Sequence, residues 1–132
     1  MTQIAAHLKY YHCSPRKVRL LTDVLKGKMA HEAVLELSGT AKRSAPVLLK
    51  LLKSAMANAR HNFKVAEPEK LYVSTFIVNE GPMLKRQLSR ARGSTSPIRK
   101  RMSHITVVLG ENKQGTQKIP AVKVRGKKMA SK

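Results

Sequence analysis

The sequence predicts an α+β fold that carries a long basic hairpin and a basic tail. Three observations support this prediction. Segments with helical spacing follow one another in the first half of the chain, and β-branched strand segments follow in the second half. A long stretch rich in Lys and Arg separates the last two strand segments. At 132 residues, the chain is long enough for one domain and a tail.

The first two elements are predicted to be a strand and a helix. Apolar and more polar residues alternate from Ile4 to Tyr10, which indicates a strand over about 3–11. The pair Ser14-Pro15 follows, with a good N-cap residue and a proline suited to the first helical position. Apolar residues then recur at helical spacing, and they predict a helix over about 15–26.

Two more helices are predicted before the chain turns to strands. A short amphipathic segment covers about 30–37, and the longest helical signal covers about 41–62. Pro46 leaves two starts open for the long helix. Either Thr40 caps it and the proline bends its early turns, or Ser44 caps it and the proline lies in the first turn.

The second half of the chain predicts two strands joined by an extended hairpin. Residues 71–78 and 105–109 are rich in β-branched and aromatic side chains. The segment between them has no apolar periodicity and no acid from Gly81 onward, and an insert of that length inside a compact domain is typical only of functional segments. We therefore predict a hairpin over about 79–104, with its turn near 92–96. An arm from 78 to 90 would span roughly 40 Å and leave the body. The cations of the segment are Lys85, Arg86, Arg90, Arg92, Arg99, Lys100 and Arg101.

The charge balance indicates a polyanionic partner. The chain has 27 Lys and Arg against 7 Asp and Glu, a formal net charge of +20. Such a charge opposes a compact state by self-repulsion unless a polyanion neutralises it, so nucleic acid is the first expectation and an acidic membrane surface the second. We assign residues 1–111 to a single α+β domain. Residues 112–132 form a basic tail without acids, which we expect to be disordered when free.

Other function classes lack the residues they need. The single Cys13 cannot form an internal disulfide, which indicates a reducing compartment, and the five histidines do not have metal-ligand spacing. The acids are scattered, so no catalytic pair is apparent. No secretion signal or membrane-spanning run is present. We expect a soluble, non-enzymatic protein without a metal or cofactor.

Basic residues also crowd the start of the first predicted helix. Arg16, Lys17 and Arg19 lie where the helix dipole disfavours cations. Phosphates at this site would offset that cost, and the Ser14 hydroxyl and free N–H groups could donate to them. For His104 two interpretations remain open: a strand-surface histidine, or a contact with a phosphate or ribose.

Five motifs, in the same order along the chain, resemble a known family. The family is that of large-subunit ribosomal protein twenty-two of the bacterial L-series, and the resemblance covers roughly residues 5–109. The motifs are Ser14–Leu21, Lys53–Asn62, Glu80–Arg86, Arg90–Gly93 and Ile98–Val108.

The resemblance implies three helices packed on a small antiparallel sheet and a β-hairpin that reaches the wall of the nascent-peptide exit tunnel. It implies a constituent of the large ribosomal subunit that binds rRNA during assembly and touches neighbouring ribosomal proteins and the nascent chain, without forming a homo-oligomer. The implied location is the ribosome, in the cytoplasm or in an organelle. The residues implied to contact rRNA are Ser14, Arg16, Lys17, Arg19, Lys85, Arg86, Arg99, Lys100, Arg101, Ser103 and His104. The residues implied at the hairpin tip are Arg90, Arg92, Gly93, Ser94 and Thr95.

A DNA-binding architectural protein is the alternative that the residues leave open. Its basic β-arms would wrap a duplex and insert an apolar wedge at the hairpin tip. Pro97 is the residue available for such a wedge.

Overall fold

The computed structural model describes residues 3–111 and has an α+β fold, with three helices packed on a small antiparallel sheet. The predicted tail, residues 112–132, lies outside the described residues. None of the helices in the described part of the chain is long and apolar enough to cross a membrane. The strands are β1 (Gln3–Tyr11), β2 (Tyr72–Glu80), β3 (Leu84–Ser89), β4 (Thr95–Lys100) and β5 (Ser103–Gly110), and the helices are α1 (Pro15–Leu25), α2 (Ala30–Gly39) and α3 (Ala45–His61).

The last strand of the fold, β5, lies at the centre of the three-stranded sheet. It pairs antiparallel with β1 on one side and with β2 on the other. Side chains alternate between the two faces of a strand, so Ile105, Val107 and Leu109 share one face, and all three are buried. The helices cover this face of the sheet.

The core between helices and sheet is almost entirely aliphatic. The stripe Leu48, Leu52, Ala55 and Ala59 of α3 is buried against β1 and β5. Helix α1 packs on β2, and α2 packs on α3. Phe76 is the one aromatic side chain among the buried residues of the described part. Core burial at roughly 25 cal/mol per Å² of apolar surface is the main stabilising term for such a body.

The structure resolves where the long helix begins. Helix α3 starts at Ala45, with Ser44 at the N-cap position and Pro46 in the first turn, which is the second of the two predicted starts. The predicted range of 41–62 was therefore too long at its N-terminal end. The α2 prediction was too short, because this helix continues to Gly39.

The alternation that predicted β1 fails at Tyr10. The pairing with β5 shifts register between Leu8 and Tyr11, so one extra residue is accommodated there. Tyr10 adopts a left-handed backbone with φ of 57°, and it is 58% exposed. A sequence pattern with period two cannot show such an inserted residue.

Strands β3 and β4 form a separate two-stranded ribbon that connects β2 to β5. The ribbon is shorter than the predicted 79–104, because Asn79 and Glu80 still pair with β5 in the body sheet. Its root is the hydrogen bond from the Gly81 N–H to the Met102 carbonyl, at 2.9 Å. A one-turn 3₁₀ segment, Ala91–Gly93, forms the tip, so the turn comes earlier than the predicted 92–96.

Alanine substitutions at two glycines, one at the ribbon root and one at the end of α2, are expected to change the free energy of unfolding in opposite directions. A Cβ on Gly81 would lie 3.2 Å from the Met102 Cβ and 3.3 Å from its carbonyl carbon, whereas a Cβ on Gly39 would meet nothing within 4 Å. We expect Gly81→Ala to lower the free energy of unfolding by about 1–2 kcal/mol through overpacking. Gly39→Ala is expected to raise it by up to about 1 kcal/mol, because alanine restricts the unfolded chain. Urea unfolding of both variants measures the difference, and equal effects would contradict the close packing at the root.

Candidate nucleic-acid interface

A groove of about 840 Å³ lies where β1 ends, where α1 and α3 begin, and where β4 returns to the body. We call it the basic groove, because its lining contains cations and no acid. Its cations are Lys17, Lys42, Arg43, Arg99, Lys100 and Arg101, and its other lining residues are His12, Cys13, Ser14, Leu20 and Ser44.

The cations of the basic groove have no intramolecular counter-charge in the part of the chain described here. The ion pairs found between residues 3 and 111 join Lys26 to Asp23, Lys28 to Glu36, and Lys70 to Glu67. All of them lie away from the groove lining. Like charges held this close repel one another, so the arrangement favours an anion from outside the molecule.

The structure brings together five of the residues that the sequence marked for rRNA contact and adds two that it missed. The missed residues are Lys42 and Arg43, which lie between α2 and α3. Of the two predicted starts of the long helix, the one capped by Thr40 would have placed both residues inside the helix, whereas the one capped by Ser44 leaves them before it. Their adjacency in a loop is the signal that could have found them. The five predicted residues that line the groove are Ser14, Lys17, Arg99, Lys100 and Arg101.

Two predicted contact residues, Arg19 and Ser103, lie outside the groove lining. The Arg19 guanidinium donates from Nε and Nη2 to the Val78 carbonyl, at 3.2 and 2.8 Å, and so ties α1 to β2. Ser103 is 0% exposed, and its hydroxyl has no hydrogen-bond partner in residues 3–111. Ser103 shares the inward face of β5 with Ile105, so it offers no surface to an external ligand. The alternation of side chains along the predicted strand would have indicated that Ser103 faces inward.

His104 is occupied by a local contact at the ribbon root. Its Nδ1 accepts a hydrogen bond from the Tyr10 backbone N–H at 3.1 Å, so the proton of the neutral ring belongs on Nε2. The two rings meet edge to face, with centroids 4.8 Å apart and an interplanar angle of 83°. These contacts favour the strand-surface interpretation of His104.

Tyr11 reports the electrostatics at the edge of the groove. Burial raises the pKa of its phenol, the Cys13 thiol raises it further, and Arg43 lowers it. The opposing effect of Arg43 indicates that the loop before α3 lies close to the end of β1.

The ribbon presents a different charge pattern on each face. Lys85 lies directly opposite Arg99 in the β3–β4 register, so two like charges face each other across the strands. The other face also carries two cations, Arg86 and Lys100, but each lies opposite an apolar residue. The apolar residues of that face are Leu84, Leu88 and Ile98, which are between 38% and 43% exposed. Like charges placed opposite each other destabilise a strand pair, and a two-stranded ribbon is marginal in water. A phosphate between Lys85 and Arg99 would remove this repulsion.

The ribbon tip is a compact turn with exposed cations. The Arg90 N–H donates to the Ser94 carbonyl at 2.8 Å, and the Ser94 hydroxyl donates to the Ala91 carbonyl at 2.9 Å. Arg92 and Gly93 both have positive φ, 59° and 70°. Glycine adopts this conformation freely, whereas it costs Arg92 about 1 kcal/mol. Ala91 through Thr95 are exposed, as is Arg90.

The described residues contain no cluster of three or more His, Cys, Asp or Glu side chains that could hold a metal ion. The features of the site are instead an uncompensated basic groove and a basic ribbon beside it. Uncompensated basic surfaces of this kind are typical of the class of proteins that bind polyanions. The chain belongs to the family described as ribosomal protein L22p/L17e, whose family model matches residues 6–110.

Relatives of known name are similar over most of the chain. A protein of Pediococcus pentosaceus called large ribosomal subunit protein uL22 is 47% identical over 115 residues, which cover 87% of this chain and 97% of that protein. Proteins of the same name from two strains of Ureaplasma parvum serovar 3 are 42% identical over 118 residues, 89% of this chain. The matched region spans only 38% of the length of these Ureaplasma proteins.

The opposed cations of the ribbon make Lys85→Glu an informative change. We expect the introduced carboxylate to attract Arg99 across the strands and to slow amide hydrogen exchange in β3 and β4 of the free protein. The same change should lower the salt concentration that elutes the protein from heparin, because the opposed pair of cations is lost. Lys50→Glu, which changes the charge equally on the exposed face of α3, is the control. The expected role of the Lys85 and Arg99 pair would be contradicted if amide exchange slowed only in Lys50→Glu. It would also be contradicted if both variants eluted from heparin at the same salt concentration.

Proposed function

We propose that this chain is a non-enzymatic structural constituent of the large ribosomal subunit and binds large-subunit rRNA. The observation that carries the proposal is the continuity of the basic groove with the basic ribbon, whose cations have no acid partner in the described residues. Membership of the L22p/L17e family and the name of the relatives support it.

The proposed mechanism is charge neutralisation combined with shape. The folded body supplies a rigid groove in which Lys17, Lys42 and Arg101 meet RNA phosphates. The ribbon is thin enough to enter a channel between RNA helices, and the Lys85 and Arg99 pair gains a counter-charge there. Phosphate contacts of this kind position a protein without reading sequence, so RNA shape would supply the specificity.

The finer part of the proposal concerns the tip. We propose that the ribbon extends to the wall of the nascent-peptide exit tunnel, with Arg90, Arg92 and Gly93 beside the nascent chain and Ser94 and Thr95 at the turn into β4. The tip fits this role because it is narrow, exposed and tied by its own backbone hydrogen bonds. The protein would act as a single copy among neighbouring ribosomal proteins, in a cytoplasmic or organellar ribosome.

The DNA-binding alternative requires an apolar wedge at the tip. Pro97 lies within β4 opposite Gln87, several residues from the turn. The turn itself consists of small, polar and basic residues. This placement favours a tip that fits among phosphates over one that separates base pairs.

The first test compares salt dependence for two nucleic acids. If the six groove cations each meet one phosphate, the affinity for an rRNA fragment should fall with a log–log slope of about −4 to −5. Structured rRNA should bind more tightly than duplex DNA of equal length. Filter binding over a range of salt concentrations measures both quantities. A slope near zero, or equal affinity for duplex DNA, would contradict the proposal.

The second test addresses the tip. Arg90→Glu combined with Arg92→Glu should leave the thermal unfolding of the isolated chain cooperative, because neither side chain is part of the core. We expect the variant to be depleted from large subunits or to alter the passage of nascent chains. Sedimentation of tagged protein from lysates through a high-salt sucrose gradient measures incorporation, with Lys50→Glu as the control. Full incorporation together with unchanged translation of every nascent chain would contradict a role for the tip.

A further inference from the structure

The strand pairing is interrupted where the ribbon joins the body. The pairing of β2 with β5 ends at Glu80 and Ser103, whereas the pairing of β3 with β4 begins only at Leu84. Residues 81–83 therefore lie opposite residues 101–102, so one strand carries an extra residue at the ribbon root. Because the two ladders are not continuous, strand pairing alone does not fix the direction in which the ribbon leaves the body.

The imidazole of His104 lies against this interruption, on the open face of the sheet. Its neighbours along β5, Ser103 and Ile105, take the face that the helices cover, so His104 points the other way. A Cβ on Gly81 would lie 3.2 Å from His104 Nε2 and 3.2 Å from the Met102 Cβ. The absence of a side chain at Gly81 thus lets the ring lie directly against the backbone of the ribbon root.

The same ring is held from its other side by the end of β1. The Tyr10 backbone N–H donates to His104 Nδ1 at 3.1 Å, and the two rings meet edge to face. Tyr10 lies in the register shift of β1 and has a left-handed backbone, with φ of 57°. That conformation is costly for a residue with a side chain, and the hydrogen bond and the ring contact offset the cost. The irregular end of β1 therefore supplies the donor that fixes the orientation of the His104 ring.

We propose that His104 is a positioning residue for the ribbon: its ring links the end of β1 to Gly81 and so fixes the direction in which the ribbon leaves the body. In this role the ring contacts no ligand and acts before any partner binds. A ribbon whose direction is already fixed loses less conformational freedom when it enters a channel, so it binds more tightly. The benefit for RNA binding rests on the proposed function, whereas the positioning rests on the contacts of His104.

Residual dipolar couplings of the free chain measure the direction of the ribbon relative to the body. In the unchanged chain, the amides of β3 and β4 should share one alignment tensor with those of the body sheet. In His104→Ala, the ribbon couplings should shrink towards zero, and the Tyr10 amide should exchange with solvent about fivefold faster. Unchanged couplings of the body sheet show that the variant is folded. Ribbon couplings equal to those of the unchanged chain would overturn the proposal.

Two matched variants separate the two contacts of the ring. The Oδ1 of an asparagine lies close to the place of a histidine Nδ1 and accepts a hydrogen bond, but the shorter side chain does not reach Gly81. His104→Asn should therefore restore protection of the Tyr10 amide and leave the ribbon couplings small. His7→Ala is the control, because His7 lies on the same sheet face, with its Nδ1 3.0 Å from the Thr106 hydroxyl. Full ribbon couplings in His104→Asn, or lost ribbon couplings in His7→Ala, would overturn the proposal.

Protonation of His104 gives a readout that packing alone would not change. A ring with protons on both nitrogens has no acceptor for the Tyr10 N–H. On acidification, the ribbon couplings of the unchanged chain should therefore shrink in step with the ring signals of His104. The residue opposite on β2 is the uncharged Asn79. The charged and titratable groups of the segments around the ring are His7, Lys9, Tyr10, Glu80 and Arg101.

The asparagine variant retains all of these surrounding groups. The ribbon couplings of His104→Asn should therefore be independent of pH over the range in which the His104 ring of the unchanged chain titrates. The same pH dependence in His104→Asn would assign the effect to another group and overturn the role of His104.

RNA binding distinguishes failure of this role from failure of the proposed function. At a pH at which the ring is neutral, His104→Ala should bind the rRNA fragment roughly fivefold more weakly, with an unchanged salt slope, because no cation is lost. If the couplings change as expected but the unchanged chain does not bind rRNA, the positioning role stands and the proposed function fails. If the chain binds rRNA but His104→Ala has the couplings and affinity of the unchanged chain, the positioning role is overturned and the proposed function stands.

Discussion

The pairing of β5 with both β1 and β2 is the interaction on which the rest of the structure depends. Since β2 and β5 are adjacent and antiparallel, the ribbon between them must leave the body where their pairing ends, at Gly81 and Met102. The pairing of β1 with β5 places Tyr11 beside Ser103, so the chain enters α1 next to the returning β4. The basic groove is therefore a product of sheet register. No local element would create it alone.

The side chains that stabilise the fold differ from the cations that have no acid partner in the described residues. The core is aliphatic and uses no charged residue, and the Arg19 guanidinium links α1 to β2 through the Val78 carbonyl. The ion pairs lie around α1, α2 and the turn before β2. Cations without an acid partner in the described residues line two adjoining surfaces whose shapes differ: a groove between three elements and a ribbon of one strand pair. A groove and a protruding ribbon, both basic, thus lie side by side in one small domain.

Elements with strong local signals could be predicted from the sequence, whereas contacts between elements could not. The pair Ser14-Pro15 located the start of α1 because capping and proline geometry act within one turn. Lys42 and Arg43 were not predicted as site residues, because only the tertiary structure brings them beside the cations of β4 in the basic groove. The burial of Ser103 follows from the alternation of side chains along β5, which places it on the same inward face as Ile105.

The irregular end of β1 has a consequence for the behaviour of the protein at high concentration. β1 is an edge strand, and an edge strand offers unpaired N–H and C=O groups on which a second chain can assemble a continuous sheet. The register shift after Leu8 and the left-handed backbone at Tyr10 bend this edge and interrupt its regular spacing. The continuous template is thereby limited to the first part of the strand. The irregular end of β1 thus limits how far this edge can pair with a second chain into an amyloid-like sheet.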